Sequence, residues 1–315
     1  MASSRAASRR WSSSKKTVPS SADSPRALIV GIGGGGDVVG ALAAAELLGD
    51  AIVGGLTWER RPVDPIPGPR TLGEVEHAEP LNDAVALAGP DTSGPGGFAF
   101  CEAHVARATG ERTVLVDPNP GPKAIAAGLD DAAERLGCGR IVLLDVGGDV
   151  LAHGDEQGLA SPLADAVLLA CALFLRTPCV GAVFGAGCDG ELTPAEVRER
   201  LDEVGTVAED SLSAQQLDRL EPIAAQVPTE ASAMALRCAR GERGRVPIRQ
   251  GRRSVELTEL GGVIAWFDPL RAIATAARLA AAVRDSRSLE EADAILEARG
   301  IRTELAYERE MAAAG

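Results

Sequence analysis

After residue 24 the chain alternates between two hydrophobic patterns. Short β-branched or apolar runs predict strands over residues 27–32, 51–57, 113–116, 140–144, 179–184 and 263–267. Between them, apolar positions at helical spacing predict helices over 38–48, 122–136, 162–175 and 270–283. The strand runs are apolar at successive positions, as in a parallel sheet covered on both faces. Residues 98–101 and 255–257 read as two further short strands. Residues 193–240 are helical and broken by Gly205, Pro222 and Pro228, which predicts an excursion of three or four helices, either an insertion or a cap over the sheet edge. A helix over 289–299 stops at Gly300. The expected fold is one α/β domain over residues 25–315. It is a mostly parallel sheet with helices on both faces, a Rossmann-like three-layer sandwich, with the helical excursion near 193–240.

Residues 1–24 do not share this pattern. Nine serines and five basic residues against one acid give the segment +4, so the rest carries −17 of a net −13. Lacking an apolar stretch, it is no secretory signal. A disordered tail is the plain reading, with an organellar transit peptide or a misplaced start codon as alternatives.

Composition narrows the function. The 315 residues can bury a core without disulfide or metal staples. The acidity and the nine aromatics argue against a nucleic-acid partner. No apolar run reaches the ~18–20 residues of a membrane span. The six cysteines include no C-x-x-C pair and suit reduced core thiols in a cytoplasmic protein. The expected partner is a small-molecule substrate, and homo-oligomer formation is left open.

The strongest local signal is a strand that runs through Gly31, Gly33, Gly34, Gly35 and Gly36 into Asp37 and a helix. Glycines permit positive φ and close backbone approach, and helix-start N–H groups attract anions. Gly31, Gly33 and Gly36 fit G-x-G-x-x-G, so NAD(P) is an alternative cofactor. Against it, Glu59 arrives late for the acid that holds the ribose, and Asp37 would repel pyrophosphate unless it caps the helix or a metal lies between. No Gly-Lys-Ser/Thr follows, which excludes a phosphate loop.

Aspartates recur where strands end: Asp117, Asp145, Asp149 after Gly147-Gly148, Asp189 and Asp268. With parallel strands they share one sheet edge with the glycine turn, where such folds bind ligands. Clustered carboxylates suit Mg²⁺, so Asp37, Asp117, Asp145 and Asp189 are the candidate metal ligands. Asp37, Asp145 and Asp149 are candidate catalytic groups, joined by Lys123, the one lysine after the tail. Aspartates also favour turns and helix caps for local reasons. The loop after the second strand offers Trp58, Glu59, Arg60, Arg61 and Arg70, with the arginines suited to a substrate phosphate or carboxylate. Ser161 and Asp165 read as the cap and first turn of a helix. His153 has no partner visible in sequence, and no G-x-S-x-G or H-E-x-x-H occurs.

The segments 30–40, 57–60 with Pro65, Gly68, Pro69 and Arg70, 145–149 and 185–192 together resemble the family catalogued as domain of unknown function 1152. The resemblance spans roughly residues 26–310 and implies no particular reaction. The glycine turn is also similar to Gly-x-Gly-x-Gly-Gly-Asn-Glu-x-Gly of the D-glutamate cyclase family, but Asp37 and Val38 replace its Asn and Glu, leaving a distant analogy. Three functions are carried forward: a metal-assisted transferase or hydrolase acting on a phosphorylated or carboxylated metabolite, such as a nucleotide; an atypical NAD(P)-binding oxidoreductase; and a non-catalytic ligand-sensing module.

Overall fold

The computed structural model describes residues 25–314, so the tail expected over 1–24 lies outside the described residues. Nine strands form one sheet: β1 (Ala27–Gly31), β2 (Ala51–Leu56), β3 (Glu79–Pro80), β4 (Val85–Ala88), β5 (Thr113–Val116), β6 (Arg140–Val146), β7 (Cys179–Phe184), β8 (Ala208–Ser211) and β11 (Val263–Phe267). Their order is β3-β4-β5-β2-β1-β6-β7-β11-β8. The interior five, β5-β2-β1-β6-β7, are parallel, and each flank is antiparallel. The α/β architecture and the mostly parallel sheet agree with the sequence reading.

Both faces of the sheet are buried, which explains the continuous apolar strands. In β1, Leu28 and Val30 pack on one face, while Ala27 and Ile29 pack on the other. The first face meets α3 (Pro122–Arg135), α4 (Pro162–Ala170), α8 (Pro269–Ala274), α9 (Arg278–Val283) and α10 (Leu289–Glu297). The second meets α1 (Asp37–Leu48), α2 (Cys101–Thr109), α6 (Ala214–Ala224) and α7 (Ala231–Ala239). A separate antiparallel ribbon of β9 (Gly244–Ile248) and β10 (Arg253–Leu257) joins this second core through Ile248, Val255 and Leu257. Helices α5 (Pro194–Val204) and α11 (Glu304–Ala314) complete the described elements.

Several expectations are corrected. The excursion over 193–240 holds α5, α6 and α7, but also β8, which extends the main sheet. Residues 98–101 form no strand, because Cys101 opens α2. The helix expected over 270–283 breaks between α8 and α9. Most consequential, β11 runs antiparallel to β7. Asp268 therefore sits at the opposite sheet edge, where it accepts from the backbone N–H groups of Leu270 (2.9 Å) and Arg271 (3.3 Å) as the cap of α8.

The order in which parallel strands are added reverses at β1: β2 lies on one side of it and β6 on the other. The crevice beyond the carboxyl ends of β1 and β6 is where an α/β sheet offers room for a ligand. The glycine turn and Asp145 both stand there.

Candidate functional site

The turn after β1 is shaped by what its glycines let approach. A Cβ at Gly31 would lie 2.6 Å from the Asp37 carbonyl carbon, and one at Gly36 would lie 2.1 Å from the Thr229 Cβ. Gly34 and Gly35 have φ of +80° and +54°, and the Gly35 N–H donates to the Trp58 carbonyl at 2.9 Å. Folded this way, the turn brings the Asp37 side chain back over itself. Its Oδ2 accepts from the N–H of Gly33 (2.9 Å) and of Val146 (3.3 Å). The Gly33 N–H, a donor the sequence reading offers to a ligand anion, is thus occupied by the chain's own carboxylate.

Asp37 is joined by Asp145 and Asp165. Each turns one carboxylate oxygen into a group whose members lie within 4.8 Å of one another. Asp145 arrives from the end of β6 and accepts from the N–H of Gly148 at 2.7 Å. Asp165 comes from the first turn of α4, is 1% exposed, and its Oδ1 has no hydrogen-bond partner. Burial drives the Asp37 carboxyl up to about 7, against the pull of the Gly33 and Val146 N–H groups and Arg60. Burial, and then the neighbouring carboxylates, hold Asp145 and Asp165 well above the usual range. Such crowding favours protons, or a cation, over three bare charges.

A second group adjoins the first. Oxygens of Asp149, Asp189 and Glu191 also lie within 4.8 Å of one another. Asp189 is raised to about 8 by burial and then by Glu191. Asp149 is held well above its ordinary value by burial and then by Asp165 and Asp145, so the two groups share one field. Gly147, at φ +143°, is required here: a Cβ would meet the Asp189 Cγ at 2.5 Å. Glu191 accepts from the N–H of Ala160 (2.7 Å) and Ser161 (2.8 Å), and its Oε1 lies 3.4 Å from the Arg249 guanidinium.

Arg60 covers the turn. It donates to the Gly33 carbonyl at 2.6 Å and stacks 4.5 Å from the centroid of the Trp58 ring. Its charge is already met by Glu304 at 3.3 Å and Glu308 at 3.9 Å. Burial alone would lower its pKa, but these acids outweigh burial and raise it. Glu304 also accepts from the N–H of Leu163 and Ala164, both at 2.9 Å, at the start of α4. Trp58 is fully buried, with its indole N–H on Glu308 at 3.1 Å, and so plugs the core.

Other sequence candidates stand elsewhere. Asp117 accepts from the N–H of Asn119 (2.8 Å) and Leu72 (3.3 Å) and belongs to neither carboxylate group, contrary to its expected metal role. Lys123 is exposed on the first turn of α3. Buried Arg70 staples its own loop, pairing with Asp64 at 3.0 Å and donating to the carbonyls of Pro67 (2.8 Å) and Gly68 (2.5 Å). Glu59 is held by the Cys101 N–H at 2.5 Å, away from any ribose. Sequence reasoning missed Asp165 as more than a helix acid, and missed Glu191, Glu304 and Glu308 altogether as site residues. His153 does find a partner, Glu203 at 2.9 Å, and beside it Glu156 pairs with Arg200 at 3.2 Å.

None of the curated proteins and none of the solved structures matches the chain. Residues 28–312 match the family model described as "Protein of unknown function (DUF1152)". Since that match spans nearly the whole fold, including every residue of both carboxylate groups, the chain belongs to this family.

Proposed function

We propose that this protein is a cytoplasmic, metal-dependent transferase or hydrolase acting on a small phosphorylated or carboxylated metabolite. The cation, Mg²⁺ in the cell, is held by Asp37, Asp145 and Asp165. The observation that carries this reading is the unpartnered Oδ1 of buried Asp165 within a group of three convergent carboxylates. An orphaned buried carboxylate oxygen is costly to a fold that gains nothing from it. A hard divalent cation takes oxygen ligands of this kind, displaces the protons that burial retains, and keeps waters. When bound, it supplies a polarised substrate oxygen or an activated water. Asp189, raised to about 8, stands beside it as the group to accept or return a proton near neutrality, and Asp149, which burial holds well above the ordinary carboxylate range, adjoins it.

An NAD(P)-dependent oxidoreductase has weaker support. Its fingerprint needs a free Gly33 N–H and an acid at the ribose, and these are taken up by Asp37 and Cys101. Calorimetric titration of the chelator-treated protein with Mg²⁺ and Mn²⁺ tests the metal reading. Wild type is expected to bind, and Asp165→Asn to lose at least tenfold in affinity. Absence of binding by wild type with either ion would refute it. A screen of phosphate esters with the loaded protein then separates an enzyme from a ligand-sensing module.

A further inference from the structure

Beside the Asp149–Asp189–Glu191 group lies a cleft of about 530 Å³, within the size range of small-molecule sites. One wall is the β9–β10 ribbon with Arg245, Arg252 and Arg253. The other is formed by Gln157, Gly158 and Gly190. Gly190 lies between Asp189 and Glu191 in the chain, so this wall of the cleft is backbone that also carries two of those carboxylates, although their side chains are not part of the lining.

Three features mark the cleft as built for an anion. First, none of Arg245, Arg252 and Arg253 has a carboxylate oxygen within 4.0 Å among the described residues, in a chain where acids outnumber bases 45 to 32. Three guanidiniums without a close ion pair line one cleft and give it a positive potential, which Glu256, opposite Arg245 across the ribbon, offsets in part. Second, their hydrogen bonds fix them in place and leave donors over. Arg253 Nη1 donates to the carbonyls of Gly158 (3.0 Å) and Gly190 (3.1 Å), Arg245 Nε to the Ser254 hydroxyl (2.6 Å), and Arg252 Nε to the Arg249 carbonyl (3.2 Å). The Nη2 groups of all three have no partner among these bonds. Third, the turn at the ribbon tip is strained. Arg249 and Gln250 have φ of +51° and +57° and are followed by Gly251 at +82°. Two adjacent side-chain-bearing residues in the left-handed region are uncommon and gather at ligand sites.

We propose that this cleft binds the phosphate groups of the substrate, a diphosphate or phosphate ester, with its reacting end toward Gly190 and the carboxylates. The placement of the reacting end rests on the metal-assisted reading, whereas anion capture by the ribbon does not. Planar guanidinium forks match phosphate oxygens in pairs, and three of them suit a polyanion better than a single carboxylate. The lining residues contain no aromatic ring, so the ligand is held by its phosphates and not by stacking of a base.

The test is titration of the chelator-treated full chain with inorganic pyrophosphate and, separately, with acetate. Wild type is expected to bind pyrophosphate without metal, at least tenfold tighter than acetate, and more weakly as salt rises. The double variant Arg245→Ala/Arg252→Ala, at two exposed positions outside the core, is expected to lose tenfold or more for each guanidinium removed. Asp165→Asn is expected to keep metal-free pyrophosphate binding. Equal binding by wild type and the double variant would overturn the proposal. So would pyrophosphate binding that needs Mg²⁺ and is lost in Asp165→Asn but not in the double variant, an outcome that leaves the metal reading standing. Arginine-dependent binding in a protein that takes up no metal supports the cleft and removes the metal reading alone.

Discussion

Replacing Asp37 by asparagine should stabilise the metal-free protein at neutral pH and flatten its pH dependence. Asparagine keeps an oxygen for the Gly33 and Val146 N–H groups and removes the charge that burial opposes. Burial pushes the folded Asp37 carboxyl up to about 7 from its ordinary 3.8. Between these values the folded chain holds a proton that the unfolded chain has released. Stability therefore falls as pH rises from about 4 to 7, and the full cost persists above 7. Three pH units at 1.36 kcal/mol each give about 4 kcal/mol, an upper figure because Asp37 shares its site with the buried carboxyls of Asp145 and Asp165. Relief of about 2–4 kcal/mol corresponds to a rise of roughly 3–6 °C in Tm for a chain of this size. The assay is calorimetric melting from pH 5 to 8.5 in chelator. Wild type should melt highest near pH 5, and Asp37→Asn should exceed it most at pH 8. Mg²⁺ should raise the wild-type Tm at pH 8 and leave the variant nearly unchanged. A wild-type Tm that does not fall between pH 5 and 8, or a variant that is less stable at pH 8, would refute the account of buried, uncompensated carboxylate charge.

Gly55→Ala should destabilise by about 1 kcal/mol in urea unfolding, because its Cβ would lie 2.1 Å from the Glu102 Oε1, the end of a buried side chain that must turn aside. The double variant Gly55→Ala/Glu102→Ala should recover most of that loss, and an additive cycle would show that the clash is not the cause. Arg70→Lys should cost about 2–3 kcal/mol, since lysine cannot reach Asp64 and the loop carbonyls together; thermal melting reads the loss. Lys123→Ala should change stability by less than about 0.5 kcal/mol and leave Mg²⁺ affinity unchanged in calorimetry, as suits an exposed side chain outside the carboxylate groups.

The interior of the sheet is legible in sequence because parallel strands are buried on both faces and leave continuous apolar runs, as in β1 and β6. Strand β8, Ala208–Ser211, has no such run: it lies at the sheet edge and is half exposed, so its Ala-Glu-Asp-Ser looks like loop between helices. Strand direction leaves no mark on composition either. That is why Asp268, which follows β11 just as Asp145 closes β6, could not be assigned to the opposite edge before the fold was known. Asp37 and Asp145 were legible because each follows an interior parallel strand. Asp165 was not, because an acid in the first turn of α4 is already explained by the helix dipole. Glu304 and Glu308 reach Arg60 from helix α11, more than 240 positions along the chain, a proximity that only tertiary packing creates.

The charge arrangement also bears on where a substrate anion can bind. A glycine turn at a helix start ordinarily offers its N–H groups and dipole to an anion. Here Asp37 supplies that anion from within, and Arg60, the nearest guanidinium, is already balanced by Glu304 and Glu308. The crevice beyond β1 and β6 therefore presents carboxylates without free positive charge of its own. An anionic metabolite entering it needs a cation between itself and Asp37, Asp145 and Asp165, or an anchor outside the crevice. The ribbon arginines proposed above would be such an anchor, in a cleft that shares Gly190 with the Asp189–Glu191 segment. The proposed metal and the proposed ribbon anchor would thus answer the same electrostatic requirement. Removing either alone should weaken substrate binding, whereas removing Arg60 should chiefly loosen the Glu304–Glu308 packing behind the turn.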